Sequence, residues 1–180
     1  MIVRDLRCAA TQVQPCGVDL SLRRVLQWTA TATATATAGV LDFDNSGRRA
    51  AGAPAALEFE AATGALALGP GAYVVEFNEG CAVPRDCMGQ LFARSSLWRA
   101  GAALAAGVVD AGYAGALGAL LDVRHPAGLV VYRDARLAQL VVHRMEREVD
   151  GYRGVYQGSV GCLGRDGPAA AAAAAVTEGS

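Results

Sequence analysis

The chain has 180 residues, 53% of them hydrophobic, and a formal net charge of −1 at pH 7; this suffices for one domain with a full core and excludes two large ones. A near-neutral balance gives no electrostatic reason for a nucleic-acid backbone or an anionic membrane as partner. No apolar signal core opens Met1-Ile2-Val3-Arg4-Asp5 and no window reaches a spanning length, so a soluble, cytoplasmic protein is expected.

In chain order the pattern is nearly all β. Gly17-Val18-Asp19-Leu20-Ser21-Leu22 alternates apolar and polar residues, as a half-buried strand does. Thr29 to Ala38 repeats Thr-Ala, also with period two, and reads as a surface hairpin arm of low complexity. Residues 44–56, rich in Asn, Ser, Gly, Arg and Pro, read as a loop. Gly69-Pro70-Gly71 turns the chain into the strand Ala72 to Phe77. Further short strands are expected at Met88 to Ala93, Leu117 to Val123, Leu129 to Tyr132 and Leu137 to His143, with a helical turn and a small-residue strand between Ser96 and Ala106. Regular short strands between turn residues predict an all-β distorted barrel or jelly roll with few short helices. Residues 1–167 form that β domain, and 168–180, poly-Ala followed by polar residues, form a low-complexity C-terminal tail.

Five cysteines (Cys8, Cys16, Cys81, Cys87, Cys162) without CxxC spacing argue against structural zinc and are expected to be mostly buried or half-buried thiols, one disulfide staying possible only in a hyperthermophile. His125 and His143 adjoin no acid-rich cluster and read as surface or satisfied core residues, and Glu146-Arg147-Glu148 as a solvated face. No metal-ligand set is visible in the sequence.

The chemistry concentrates in two segments. Arg94-Ser95-Ser96 offers a bidentate cation and two hydroxyls, suited to phosphate oxygens, with Arg99 as a second cation. The same residues also suit a helix start with Ser95 as N-cap. Asp110, after Gly107-Val108-Val109 and before Ala111-Gly112-Tyr113, is either a hairpin turn residue or a partly desolvated base. Tyr113 suits a core aromatic or a platform for a sugar ring. Gln139, inside the apolar strand around Leu137 and Leu140, needs partners that an interface or a ligand would supply.

Six ordered segments together resemble the dUTPase/dCTP deaminase family, and within it the archaeal-type dUTPases: Gln12-Val13-Gln14-Pro15-x-Gly17-Val18-Asp19-Leu20, Pro84-Arg85-Asp86-x-x-Gly89, Arg94-Ser95-Ser96-Leu97, Val109-Asp110-Ala111-Gly112-Tyr113-x-Gly115, Arg136-Leu137-Ala138-Gln139-Leu140 and Tyr156-Gln157-Gly158. The resemblance implies a homotrimer with active sites at subunit interfaces, dUTP as substrate, and Mg²⁺ held mainly by the triphosphate. It implies that Asp110 deprotonates the water attacking the α-phosphorus, giving dUMP and pyrophosphate. Arg94, Ser95 and Ser96 would hold phosphate oxygens from a neighbouring subunit, with Gln139 among the phosphate contacts. Backbone from Gly107 through Val109 to Asp110 would read the uracil edge, Tyr113 would pack on the deoxyribose, and Tyr156 and Gln157 would belong to a closing tail.

Members that deaminate dCTP carry a Glu ten positions after the hairpin aspartate. Here that position is Leu120, which carries no proton, and Asp122 is the nearest acid. Hydrolysis of dUTP is therefore the expected activity, with dCTP deamination, alone or combined with it, as the alternative, and a non-catalytic nucleotide-binding regulator on the same fold as a further one. Ser159 to Gly164 only approximates the closing motif of ordinary dUTPases, the deaminase tail lysine has no counterpart, which leaves Arg153 or Arg165 as substitutes, and the chain is apolar near Leu104 where ordinary dUTPases place an Asn.

Overall fold

The computed structural model describes residues 2–28, 39–44, 46–48, 51–52 and 54–163. The Thr-Ala arm and the tail beyond residue 163 lie outside them. Two antiparallel partners flank a long central strand, β6 (Gly71–Ala82): β3 (Gly17–Gln27) on one side and β10 (Ala114–Val123) on the other. The main sheet continues outward in the order β8-β10-β6-β3-β12-β7-β9, with β7 (Cys87–Ala93), β8 (Ala102–Ala105), β9 (Val108–Val109) and β12 (Arg136–Arg144). Short β1 (Val3–Arg4) pairs with β6, while β2 (Val13–Gln14) and β4 (Ala55–Leu57) pair with β3. A separate ribbon joins β5 (Ala65–Leu68) to β11 (Leu129–Tyr132).

The strand order forces the sheet to close. β8 and β9 stand at opposite ends of the seven-strand path, yet only Ala106 and Gly107 separate them in the chain. The three Cα–Cα steps from Ala105 to Val108 span at most about 11 Å, so the ends must meet and the sheet must curl into a distorted barrel. The inner face is filled by Leu20, Leu22, Val75, Phe77, Leu121 and Leu140, each 0–1% exposed. Burying each such side chain contributes about 1.5–3 kcal/mol.

The expected all-β architecture with few helices is present; the described residues hold only α1 (Ala9–Gln12) and α2 (Ser95–Arg99) as helices. The strands differ from the sequence expectation in their ends. The strand expected to stop at Leu22 runs on to Gln27, because a bulge at Leu22/Arg24 absorbs the paired arginines that break the alternation. The loop expected over 44–56 ends early, since Ala55 enters β4. Cys81 is buried and Cys87 and Cys162 half-buried, as anticipated, but Cys8 and Cys16 are exposed, and all five thiols are free. No helix among the described residues is long and apolar enough to cross a membrane. His125, His143 and residues 146–148 are exposed, as the sequence suggested.

Alternation along Gly17–Leu22 places Asp19 and Ser21 on a solvent face, yet they are 0% and 2% exposed. Both find polar company. Glu79, also 0% exposed, accepts from the Ser21 backbone N–H at 2.7 Å, the Ser21 hydroxyl at 2.6 Å and Gln12 Nε2 at 2.7 Å. Gln12 is thereby drawn under α1, where its Oε1 accepts from Cys8 N–H and its Nε2 also reaches the Asp19 carbonyl. A buried carboxylate is tolerated only when its oxygens are met in this way.

Candidate active site at the barrel seam

Where β8 and β9 close the barrel, a cavity of about 530 Å³ opens. Its rim is Ala105 to Asp110; its walls include Val74, Leu117, Gly118 and Leu120; Trp28, Tyr113, Tyr152 and Tyr156 supply aromatic surface. Among the described residues Asp110 is the one lining residue with a charged side chain. The turn reading of Asp110 holds, and the residue is exposed. Its carbonyl accepts from Tyr113 N–H at 3.1 Å, closing a four-residue turn with Gly112 at φ +76°, and the residue lines the cavity. Gly112 cannot carry a side chain there, because a Cβ would lie 2.6 Å from Gly151 Cα. The turn is pinned from both sides: Gly112 N–H donates to Val83 O at 3.0 Å, and Tyr152 N–H to Ala111 O at 2.8 Å.

Tyr113 folds back over Gly115, its hydroxyl donating to Ala116 O at 2.7 Å and meeting Ser159 Oγ at 3.1 Å. Its ring meets Tyr152 edge-on at 5.5 Å. Burial pushes the Tyr113 hydroxyl pKa upward, the Ser159 bond opposing, so the phenol stays protonated. It is thus a wall of the cavity and an anchor of it, rather than a residue of the main core.

The C-terminal segment 156–163 is strapped along this wall. Gln157 Nε2 donates to Gly112 O and its Oε1 accepts from Ala114 N–H, both at 2.9 Å. Gly158 N–H reaches Ala114 O and Ala116 N–H reaches Ser159 O. Farther on, Cys162 N–H donates at 2.8 Å to Oε2 of Glu76, which is 0% exposed and also takes Arg24 Nη2 at 3.0 Å. Arg23 Nη1 stands 3.3 Å from the other oxygen, Oε1, as an ion pair without hydrogen-bond alignment. Burial, with Glu76 beside it, pushes the Cys162 thiol up to about 12. Arg48 donates to the Tyr156 hydroxyl at 2.6 Å and stacks on its ring.

The sequence-derived site residues divide into two groups. Val109, Asp110, Tyr113 and Tyr156 line the cavity. Arg94, Ser95, Ser96, Arg99, Gln139 and Gln157 do not. Arg94 occupies the N-cap of α2 without a side-chain cap bond, so Ser95 is the first helical residue and not the cap. Ser95 and Ser96 are exposed beside it. Arg99 lies over the Trp98 ring at 4.4 Å. Gln139, for which an interface or a ligand was expected to supply partners, finds one within its own chain: Asp19 Oδ1, 3.1 Å away. Asp19 also receives Arg94 Nε at 2.9 Å and Arg136 Nη1 at 3.1 Å on Oδ2. The sequence placed Asp19 in a motif without giving it a task. Trp28, Tyr152 and Glu76 carry no mark in the sequence, because nothing local in their segments sets them apart from ordinary strand or tail residues, and Cys162 is marked only as a thiol in an approximate closing motif.

Leu120 faces the cavity opposite Val74, and Asp122 does not line it; its carboxylate is taken by Arg124 Nε at 2.7 Å. Leu104 pairs with Leu121 and also lies off the cavity.

A profile of the dCTP deaminase-like family matches residues 2–145. The chain belongs to that family. Among its relatives, a protein of Methanosarcina mazei named "Probable deoxyuridine 5′-triphosphate nucleotidohydrolase" is 40% identical over 148 residues, covering 82% of this chain and 81% of its own. One of the same name from Aeropyrum pernix is 38% identical over 147 residues, covering 81% and 85%. The crystal structure of 2′-deoxycytidine 5′-triphosphate deaminase from Agrobacterium tumefaciens superposes with a TM-score of 0.58 at 23% identity, over 79% of this chain. It supports the fold of this dCTP deaminase-like protein, which spans only 43% of that longer chain.

Proposed function

We propose that this protein hydrolyses dUTP to dUMP and pyrophosphate, at sites shared between the subunits of a homotrimer. The observation that carries the reading is the division of charge. Among the described residues the seam cavity is lined by one carboxylate and no cation, whereas the guanidinium and hydroxyl groups of Arg94, Ser95 and Ser96, suited to phosphate, stand outside it. A triphosphate cannot bind stably against a lone carboxylate, so the cations must come from elsewhere. Arg94, Ser95 and Ser96 of a neighbouring protomer, and Mg²⁺ carried by the nucleotide, fill that need. The donor set fits Mg²⁺ of this kind: among the described residues no group of three or more His, Cys, Asp and Glu side chains is placed to cage an ion, and Mg²⁺ prefers substrate oxygens and waters with one or two carboxylates. Mg²⁺, when bound, neutralises charge on the phosphate oxygens.

The chain's own residues then perform the following steps. The pyrimidine enters the seam and meets backbone groups of Gly107 to Asp110, while Tyr113 packs on the deoxyribose and leaves no room for a 2′-hydroxyl. Asp110 accepts a proton from a water as the water oxygen bonds to the α-phosphorus. The bond from that phosphorus to the α,β-bridging oxygen breaks, and pyrophosphate leaves with the electron pair. Tyr156, on the strap, closes the open side. One methyl in an apolar site is worth only about 1–3 kcal/mol, so rejection of thymine relies on the rigidity of the pinned turn as well as on space.

The family name and the structural likeness keep deamination of dCTP as the second reading. Leu120 on the cavity wall opposes it, since attack at C4 needs a group that shuttles protons, and Asp122 is turned to Arg124. Incubation with dUTP, dCTP, dTTP and UTP in Mg²⁺, with pyrophosphate and ammonia measured together, tests both. Pyrophosphate from dUTP in clear excess over the other nucleotides, without ammonia from dCTP, is the expected outcome. Ammonia from dCTP at the rate of dUTP turnover overturns it, and silence on all four substrates favours a binding module.

A further inference from the structure

We propose that Asp19 is a positioning residue for the triphosphate: a buried carboxylate that holds Arg94 and Gln139 in the orientations with which they meet phosphate oxygens. The inference rests on the dUTP reading above.

Asp19 has no solvent exposure, and its side chain binds groups from two other segments. Oδ2 takes Arg94 Nε at 2.9 Å and Arg136 Nη1 at 3.1 Å; Oδ1 takes Gln139 Nε2 at 3.1 Å. Arg94 is held a second time, its Nη1 donating to the Arg136 carbonyl at 3.1 Å. With the ion pair at Nε and the hydrogen bond from Nη1 holding the guanidinium, Nη2 is the nitrogen left to meet an incoming anion. The side chain is 28% exposed, which leaves that edge accessible beside the exposed Ser95 and Ser96. Gln139 is oriented by the same logic. A carboxylate only accepts, so the amide NH₂ must face Asp19, leaving its second N–H and its carbonyl to serve elsewhere.

Charge points the same way. Two guanidinium groups share one carboxylate, so the cluster keeps about one unit of positive charge at a partly open surface. Burying a carboxylate is costly enough that an apolar residue of similar size often serves stability as well. A surplus cation held rigidly at the surface is what a phosphate site needs, because Arg binds phosphate through a directed fork.

The test uses the full chain. Asp19→Asn, Arg94→Gln and the double variant are compared by dissociation constant for α,β-imido-dUTP with Mg²⁺, and by kcat and KM for dUTP. Asp19→Asn is expected to raise both Kd and KM by about tenfold or more while kcat changes less than about threefold, and to add less than about twofold in the Arg94→Gln background, since it acts through Arg94. Effects that multiply in the double variant, or a loss of thermal stability with Kd unchanged, overturn the proposal. Arg94→Lys keeps the charge, does not depend on Asp19→Asn folding, and is expected to weaken binding about tenfold; a Kd within twofold of the original shows that charge suffices without orientation, and also overturns it. Absence of dUTP turnover in the unmodified protein strikes at the proposed function instead, and leaves the Kd comparison to judge Asp19.

Discussion

Asp110→Asn is expected to leave the fold and nucleotide binding intact while lowering pyrophosphate release from dUTP by about 10³-fold, within the range that loss of a general base produces. The substitution keeps the size of the side chain. The turn that presents it is held by backbone groups: Tyr113 N–H to Asp110 O, Gly112 N–H to Val83 O and Tyr152 N–H to Ala111 O. None of these uses the carboxylate, so the asparagine sits where the aspartate sat. Among the described residues no other acid lines the cavity to take over the proton. Steady-state pyrophosphate release together with calorimetric binding of α,β-imido-dUTP checks both halves, and turnover within a few-fold of the unsubstituted protein would remove Asp110 from its assigned role.

Gly118→Val is expected to lift the strap. Gly118 sits just past the β-bulge in β10, opposite Glu76, and the Cys162 side chain lies where its Cβ would be, with Sγ at 2.9 Å. A valine there displaces Cys162, and with it the N–H that Glu76 receives. Val75 O, 2.9 Å from the same point, gives the added side chain no alternative direction. Because the strap is held by hydrogen bonds worth about 0.5–1.5 kcal/mol each, losing this end of it shifts closure by about tenfold. KM for dUTP should rise by that order, with faster trypsin cleavage at Arg153. Unchanged KM and unchanged cleavage would show that the strap plays no part in binding.

The barrel was legible because its strands are apolar enough to show their period. Leu129 to Tyr132 matches β11 end for end, and Leu137 to His143 falls one residue short of β12 on each side. What escaped was decided by contacts distant in sequence. β5, Ala65–Leu68, has neither β-branched residues nor alternation and is a strand because β11 pairs with it. Alternation placed Asp19 in solvent; only the arrival of Arg94 and Arg136, 75 and 117 positions away, makes its burial tolerable. The candidate site shows the same limit. Asp110 and Tyr113 are neighbours in the turn and were readable together, whereas Trp28 and Cys162 reach the seam only through the curl of the sheet. Gln157, which the family resemblance puts in a closing tail, grips the turn that presents Asp110 through the Gly112 carbonyl and the Ala114 amide, partners that no local pattern announces.

The separation of the lone carboxylate from the guanidinium cluster carries a genetic consequence. On the proposed arrangement, a copy lacking Asp110 still lends its arginine, and a copy lacking Arg94 still lends its acid. Co-assembling these two individually impaired proteins should restore a fraction of the turnover, because some seams in each mixed particle receive one sound half from each parent. Selection then acts on the assembled particle, and a lesion in one allele can be masked by a different lesion in another.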